Sequence, residues 1–209
     1  MSRCGCKTMP RPVIAAAVLI FISFTSPAHA EVDDAVAVVA RLHATLLSVM
    51  EEADTLGVKG RDRHLAPEIE RAFHLRLMAR ITSGAVWMKA DTAQRDSLAA
   101  AFSRLSIATY ASRFQGYSGQ SFETIGGRPG PAATHLVDTR ILRPGESPIP
   151  LTYVLKQLDG RWGIVDVLLD TGISELAVRR SEYRSILKKD GLDGLIAVFN
   201  AKVDELLTP

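Results

Sequence analysis

Cysteine is almost missing from this chain of 209 residues: the two present, Cys4 and Cys6, sit at its very start. Neither follows the apolar run at Val13–Phe24, where a lipid-modified cysteine would have to lie. If the first 30 residues are removed, no disulfide, thiol nucleophile or thiolate metal cluster remains. Long apolar stretches are missing too. The Val13–Phe24 run is 12 residues, against the ~20 needed to cross a bilayer as a helix. Recognisable catalytic patterns are equally scarce. Beyond His29, the histidines are His43, His64, His74 and His135, and no pair has the spacing that sets two metal ligands on one helix face. Gly126-Gly127 adjoins Pro129 and reads as a turn, not a phosphate-binding loop. Ser118 and Ser174 lack the Gly-x-Ser-x-Gly setting of a hydrolase nucleophile. No metal site, cofactor or catalytic residue is assigned.

What stands at the N-terminus is a basic stretch with Arg3, Lys7 and Arg11, then the apolar run, then Ala28-His29-Ala30. That order is a secretory signal peptide, residues 1–30, cleaved after Ala30. Export places residues 31–209 in an oxidising compartment, which permits disulfides without requiring them. Loss of the three basic residues leaves 22 basic against 23 acidic ones. This balance excludes the electrostatic footprint of a nucleic-acid binder. The remainder suffices for one domain with a sizeable core.

Helical spacing of Val36, Val39, Leu42, Leu46, Val49 and Met50 predicts a helix over Asp33–Ala53, broken by Gly57 and Gly60. Arg61-Asp62-Arg63-His64 reads as a solvated loop. A second helix is expected from Pro67, with a break near His74. Asp91 and Gln94 form a capping-box pattern ahead of a long helix that stops near Gly116. Four strands follow: Ser121–Ile125, Thr134–Leu142, Leu151–Leu158 and Trp162–Leu169. Pro129-Gly130-Pro131 and Pro144-Gly145 mark turns, and Asp159-Gly160 is a two-residue hairpin signal. In the last strand simple alternation sets Val165, Val167 and Leu169 opposite Trp162, Ile164 and Leu168. Both faces are thus mostly apolar, as for a strand covered on both sides or facing an apolar cavity on one. Ser174 caps a C-terminal helical region that Gly191 divides. The fold class is α+β: a four-stranded antiparallel sheet packed against several helices.

Two readings remain open at this level. A cavity enzyme would use Asp138 or Asp166 as base and Tyr153 as oxyanion donor. The same residues serve equally as solvated strand carboxylates and a packed tyrosine. An adaptor would have a closed core. Arg179-Arg180 suits either a phosphate or an ordinary exposed helix face.

The segment Tyr153–Ser174, with its Asp159-Gly160 turn, Trp162-Gly-Ile-Val-Asp-Val167 and Gly172-Ile-Ser174, resembles the strand–turn–strand signature of the MlaC (toluene-tolerance) family. Arg180-Ser-Glu-Tyr183, Ile186-Leu187 and Gly191-Leu-Asp-Gly-Leu195-Ile196 are similar to that family's downstream pattern. Ala108-Thr-Tyr110-Ala-Ser-Arg-Phe114 with Tyr117-Ser-Gly119 resembles its long-helix ending. The likeness spans most of residues 35–205. Arg179 stands where the family usually has tyrosine, and the run from Thr171 to Tyr183 looks more like the hopanoid-associated HpnM branch.

The resemblance implies an NTF2-like sheet plus a helical subdomain enclosing an apolar lipid pocket, and a periplasmic, monomeric carrier instead of an enzyme. The implied cargo is phospholipid, or a hopanoid lipid for the HpnM branch. The implied partners are an outer-membrane lipid complex and either an inner-membrane ABC transporter with an MCE-domain protein or a hopanoid exporter. Exposing two acyl chains to water costs on the order of 20 kcal/mol, so such a carrier must enclose them among aliphatic walls. Candidate walls are Phe73, Leu77, Met78, Ile81, Phe102 and Leu105 from helices, with Tyr153, Val165, Val167, Leu169 and Ile173 from the sheet region. Each residue type serves ordinary core as well. A polar mouth would leave the headgroup wet.

Overall fold

The computed structural model describes residue 1, residues 27–169 and residues 172–208. Apart from Met1 and its last four residues, the expected signal segment lies outside the described residues. The elements in order are α1 (Pro27–Glu51), α2 (Ala53–Ala72), α3 (Leu75–Ser83), α4 (Ala85–Lys89) and α5 (Thr92–Arg113), then β1 (Ser121–Gly130), β2 (Thr134–Leu142), β3 (Ile149–Leu158), β4 (Arg161–Leu169) and β5 (Ile173–Ser174), then α6 (Glu175–Leu206). The α+β class stands. The strand count is corrected to five, in the antiparallel meander order β1-β2-β3-β4-β5. The fifth is a two-residue strand whose Ile173 and Ser174 pair with Leu169 and Leu168. A strand that short has no periodicity to read.

Local chemistry explains most element ends. Asp91 and Gln94 make a full capping box at the start of α5, the Asp91 carboxylate accepting from the Gln94 N–H at 2.8 Å. Ser174 caps α6, its hydroxyl accepting from the Ala177 N–H. Asp159 and Gly160 both take positive φ, +51° and +75°, as a two-residue hairpin turn of that hand requires. The expected Pro129-Gly130-Pro131 turn moves on by two residues: β1 continues through Gly130, and the turn occupies 131–133. In the order of the sheet β1 is an edge strand, so Pro129 forfeits no second-side ladder bond there.

The helical layer differs from expectation at one charged stretch. The kink falls at Gly57 alone (φ +57°), and α2 runs straight through Arg61-Asp62-Arg63-His64 and Pro67. Arg61 is buried, not solvated. Its Nε donates to the Ala111 carbonyl at 2.8 Å and its Nη1 to the Ala53 carbonyl at 3.0 Å. These bonds tie α2 to the last turn of α5 and the kink of its own first turn, and tertiary anchoring outweighs the local loop-like polarity. The break at His74 is as expected. There the His74 N–H donates to the Ile164 carbonyl at 2.9 Å and Phe73 bridges Ile164, stitching helices to sheet. At the other end α6 kinks at Gly191 (φ +66°).

A bulge sets which residues of β4 face the helices. Val154 pairs with Asp166 but Leu155 pairs with Ile164, so Val165 is the extra residue. Ile164, Val167 and Leu169 therefore stand opposite Leu155, Tyr153 and Leu151 on one face. Simple alternation, which grouped Val165 with Val167 and Leu169 against Ile164, is corrected. That inner face and the helices share a core in which Leu42, Leu46, Leu65, Ile69, Leu98, Leu155, Ile164 and Leu195 are fully buried. Each such side chain contributes roughly 1.5–3 kcal/mol of burial free energy. Among the described residues no helix is long and apolar enough to cross a membrane.

Candidate functional site

Packing of helices on the sheet leaves a cavity of ≈ 260 Å³. α5 supplies one wall through Phe102, Leu105, Ser106, Thr109, Tyr110 and Arg113, residues three or four apart and hence on one helical stripe. The sheet supplies the opposite wall through Phe122, Ile141, Leu151, Tyr153, Val167 and Leu169. Ile69, Phe73 and Met78 close it from the α2–α3 break, and Glu175, Leu176, Arg179 and Tyr183 from the start of α6.

The polar groups in these walls are largely satisfied from within. Ser106 donates to the Phe102 carbonyl at 2.8 Å and Thr109 to the Leu105 carbonyl at 2.7 Å, both one helical turn back. The Tyr153 hydroxyl is 3.0 Å from Nε2 of buried His43, whose ring stacks on Phe122 at 4.1 Å between centroids. Burial pushes the His43 pKa down from 6.5 to about 4, so it is neutral near pH 7. Burial raises the Tyr153 hydroxyl well above its usual range, and Tyr110 likewise, so both stay protonated. Four ionisable side chains also line the cavity, Arg113, Asp166, Glu175 and Arg179, and none of them is fully buried. Charge collects where side chains reach solvent: Arg113, Glu175 and Arg179 retain 58%, 28% and 31% of their side-chain exposure.

Of the eleven residues named from sequence, Phe73, Met78, Phe102, Leu105, Tyr153, Val167 and Leu169 meet around this cavity. The other four do not. Val165 is buried at the bulge, Ile173 is 55% exposed on β5, and Ile81 is part-buried away from the lining. Leu77 lies in a second hollow of ≈ 680 Å³ on the far side of Phe73. That hollow is rimmed by Arg76, Arg80, Arg95 and Arg161, and three of these are committed within the fold. Arg161 donates to the Arg71 carbonyl and contacts His74 Nδ1, Arg95 donates to the Trp87 carbonyl, and Arg76 to Asp96. Residues missed from sequence include Tyr110, Phe114, Phe122 and Tyr183. For Tyr110 a signal existed, because it falls on the Phe102–Leu105 stripe of α5.

Both carboxylates considered for acid–base chemistry are occupied. Asp166 accepts from the Ser174 hydroxyl at 2.5 Å, from its neighbour's Val167 N–H at 2.8 Å and from the Leu176 N–H at 3.0 Å. Asp138 pairs with Arg128 at 2.8 Å and accepts from Thr152 at 2.7 Å, bonds that hold its pKa below the usual carboxylate value. Among the described residues no group of three His, Cys, Asp or Glu side chains is placed to hold a metal ion.

Comparison with known proteins agrees with this architecture. The family model described as MlaC protein matches residues 40–201. No curated protein matches the chain. Among solved structures, a phospholipid-binding protein from Ralstonia solanacearum, determined in complex with a phospholipid, superposes with a TM-score of 0.72 at 19% identity. The superposition covers 84% of this chain and 99% of that one. At that identity it shows a shared fold.

Proposed function

The chain belongs to the MlaC family, and from that premise we propose that it is a periplasmic lipid carrier, exported by residues 1–30 and released as residues 31–209. It holds acyl chains in the cavity between sheet and helices and moves lipid between inner and outer membranes. Its partners are an inner-membrane transporter bearing an MCE-domain protein, or a hopanoid exporter, and an outer-membrane lipid complex. It works as a monomer, by binding and release, without catalysis.

The observation that carries this reading is the cavity, lined mostly by apolar side chains, with the Ser106, Thr109 and Tyr153 hydroxyls bonded to the protein and its charged side chains, Arg113, Asp166, Glu175 and Arg179, none of them fully buried. Acyl chains gain about 0.8 kcal/mol per buried methylene in such a space, and unpaired polar groups that would oppose them are few. At ≈ 260 Å³ the cavity falls just under the ~300–1,000 Å³ usual for ligand pockets. Two long tails are therefore seated only when the walls part. The phospholipid in the Ralstonia structure supports a phospholipid cargo, while the run from Thr171 to Tyr183 supports a hopanoid-type one.

Native mass spectrometry of the protein purified from its exporting host, with extraction and identification of bound lipid, tests the proposal. A stoichiometric lipid is expected. A protein that arrives empty and takes no lipid from liposomes overturns the carrier reading in favour of an adaptor.

A further inference from the structure

We propose that the second hollow is a binding site for a compact polyanion, a small molecule that carries two or more phosphate or carboxylate groups. The inference does not depend on what fills the first cavity. The hollow measures ≈ 680 Å³, within the ~300–1,000 Å³ usual for ligand pockets. Four arginines border it: Arg76 and Arg80 from α3, Arg95 from α5 and Arg161 from the start of β4. Residues 31–209 hold 22 basic against 23 acidic side chains, so the clustering is local and not a consequence of net charge. It also carries a cost. Arg76 and Arg80 are one helical turn apart on α3, a spacing at which like charges repel. The acids that share the lining, Glu70 and Asp159, form no ion pair with any of the four.

The bonds that hold these arginines leave most of their charge uncancelled. Arg95 donates from Nε to the Trp87 carbonyl at 3.0 Å and from Nη2 to the Met88 carbonyl at 3.2 Å. Arg161 donates from Nη1 to the Arg71 carbonyl at 2.6 Å and from Nη2 to His74 Nδ1 at 2.7 Å. His74 is itself fixed, with Nε2 3.0 Å from the Lys156 carbonyl. The carbonyls are neutral, and a ring that accepts at Nδ1 is neutral too. Both guanidiniums are therefore oriented in advance, with Nη1 of Arg95 and Nε of Arg161 still free to donate. Arg76 pairs with Asp96 at 2.6 Å and lies 5.5 Å from the centre of the buried Trp87 ring. The exposed guanidinium of Arg80 has no hydrogen bond or ion pair among the described residues. Guanidinium donors match the oxygens of phosphates and carboxylates. Several charges on one small molecule answer several arginines at once and relieve their mutual repulsion. Arginines that served the fold alone would give Arg80 no part and a polyanion no site.

Calorimetric titration of the whole protein with tripolyphosphate and, separately, with citrate, at about 50 mM salt to limit screening, tests the site. At least one of them is expected to bind at one per chain, and which one does so identifies phosphate or carboxylate as the recognised group. Arg80→Glu should weaken that binding by about tenfold or more, and the milder Arg80→Gln by about threefold. Melting temperatures should hold, since Arg80 is bonded to nothing. Arg113→Gln with Arg179→Gln, both at the first cavity, should bind as wild type does. No binding by wild type, unchanged affinity in both folded Arg80 variants, or an equal loss in the Arg113 and Arg179 variant overturns the site. Hexaglutamate bound more tightly than either small anion assigns the hollow to an acidic segment of a protein partner and overturns the small-ligand reading.

Discussion

Val167→Arg puts the cavity itself at stake. Val167 stands on the inner face of β4 opposite Tyr153 and lines the cavity while only part-buried. Arginine has four more side-chain heavy atoms than valine, and they extend into a space of ≈ 260 Å³. Displacing three or four methylenes of a bound tail at ~0.8 kcal/mol each removes about 3 kcal/mol of binding, or roughly two orders of magnitude in affinity. The fold should survive, because a part-buried position lets the guanidinium reach water along its own stem. Native mass spectrometry after vesicle incubation measures occupancy, and a thermal melt reports folding. Ile173→Arg is the control, since Ile173 is 55% exposed and off the cavity lining. A folded Val167→Arg protein with wild-type occupancy refutes the placement of the lipid. Equal loss in Ile173→Arg refutes the specificity of the effect.

Three further outcomes follow from the geometry. His43 has its pKa lowered from 6.5 to about 4 by burial, so the folded state binds fewer protons than the unfolded one between those values; stability is fully present above pH 6.5 and falls by about 3 kcal/mol as pH drops toward 4. Urea melts across that range should show the slope, and His43→Gln should flatten it; an equal slope in the variant assigns the effect elsewhere. Gly163→Ala sets a Cβ 2.7 Å from the His74 ring, which is held by the Lys156 carbonyl and Arg161; a loss of ~1–3 kcal/mol is expected, and an unchanged melting temperature would mean that the ring yields freely. Asp166→Ala removes the acceptor of three bonds, two of which join β4 to β5 and to the start of α6; with net values near ~1 kcal/mol each, calorimetry should show a drop of roughly 6–12 °C, with Asp166→Asn in between, and full retention would disprove the joining role.

The fold was legible wherever a local signal and the tertiary context agree. Asp91 with Gln94, Ser174, Asp159-Gly160 and the break at His74 act within a few residues, and the structure uses each as chemistry suggests. Illegible features depend on distant partners. Arg61 reads as solvated until the Ala111 carbonyl, 50 positions away, is seen to hold it. Val165 reads as one more alternating apolar residue until its pairing partner shows the bulge. The two residues of β5 become a strand only because β4 is beside them.

The site was legible in a similar proportion for a related reason. Apolar residues at helical or strand spacing identify the inner surface, and seven of the eleven named residues reach the cavity. Spacing alone does not separate a cavity wall from close-packed core, because both bury the same side chains; the difference is the emptiness between walls, which no single segment encodes. Tyr153 illustrates this. Its ring sits where a strand tyrosine packs, but its hydroxyl ends on His43, 110 residues earlier, and that bond lets a polar atom line an apolar space. Asp166 makes the converse point. Its solitary charge in an apolar strand suggested an acid–base role, yet its bonds to Ser174 and to the Leu176 N–H tie β4 to β5 and to the start of α6, and a third goes to the Val167 N–H beside it. With Asp138 equally engaged by Arg128 and Thr152, the carboxylates that would have argued for chemistry instead hold the walls in place, and what the walls enclose is suited to binding.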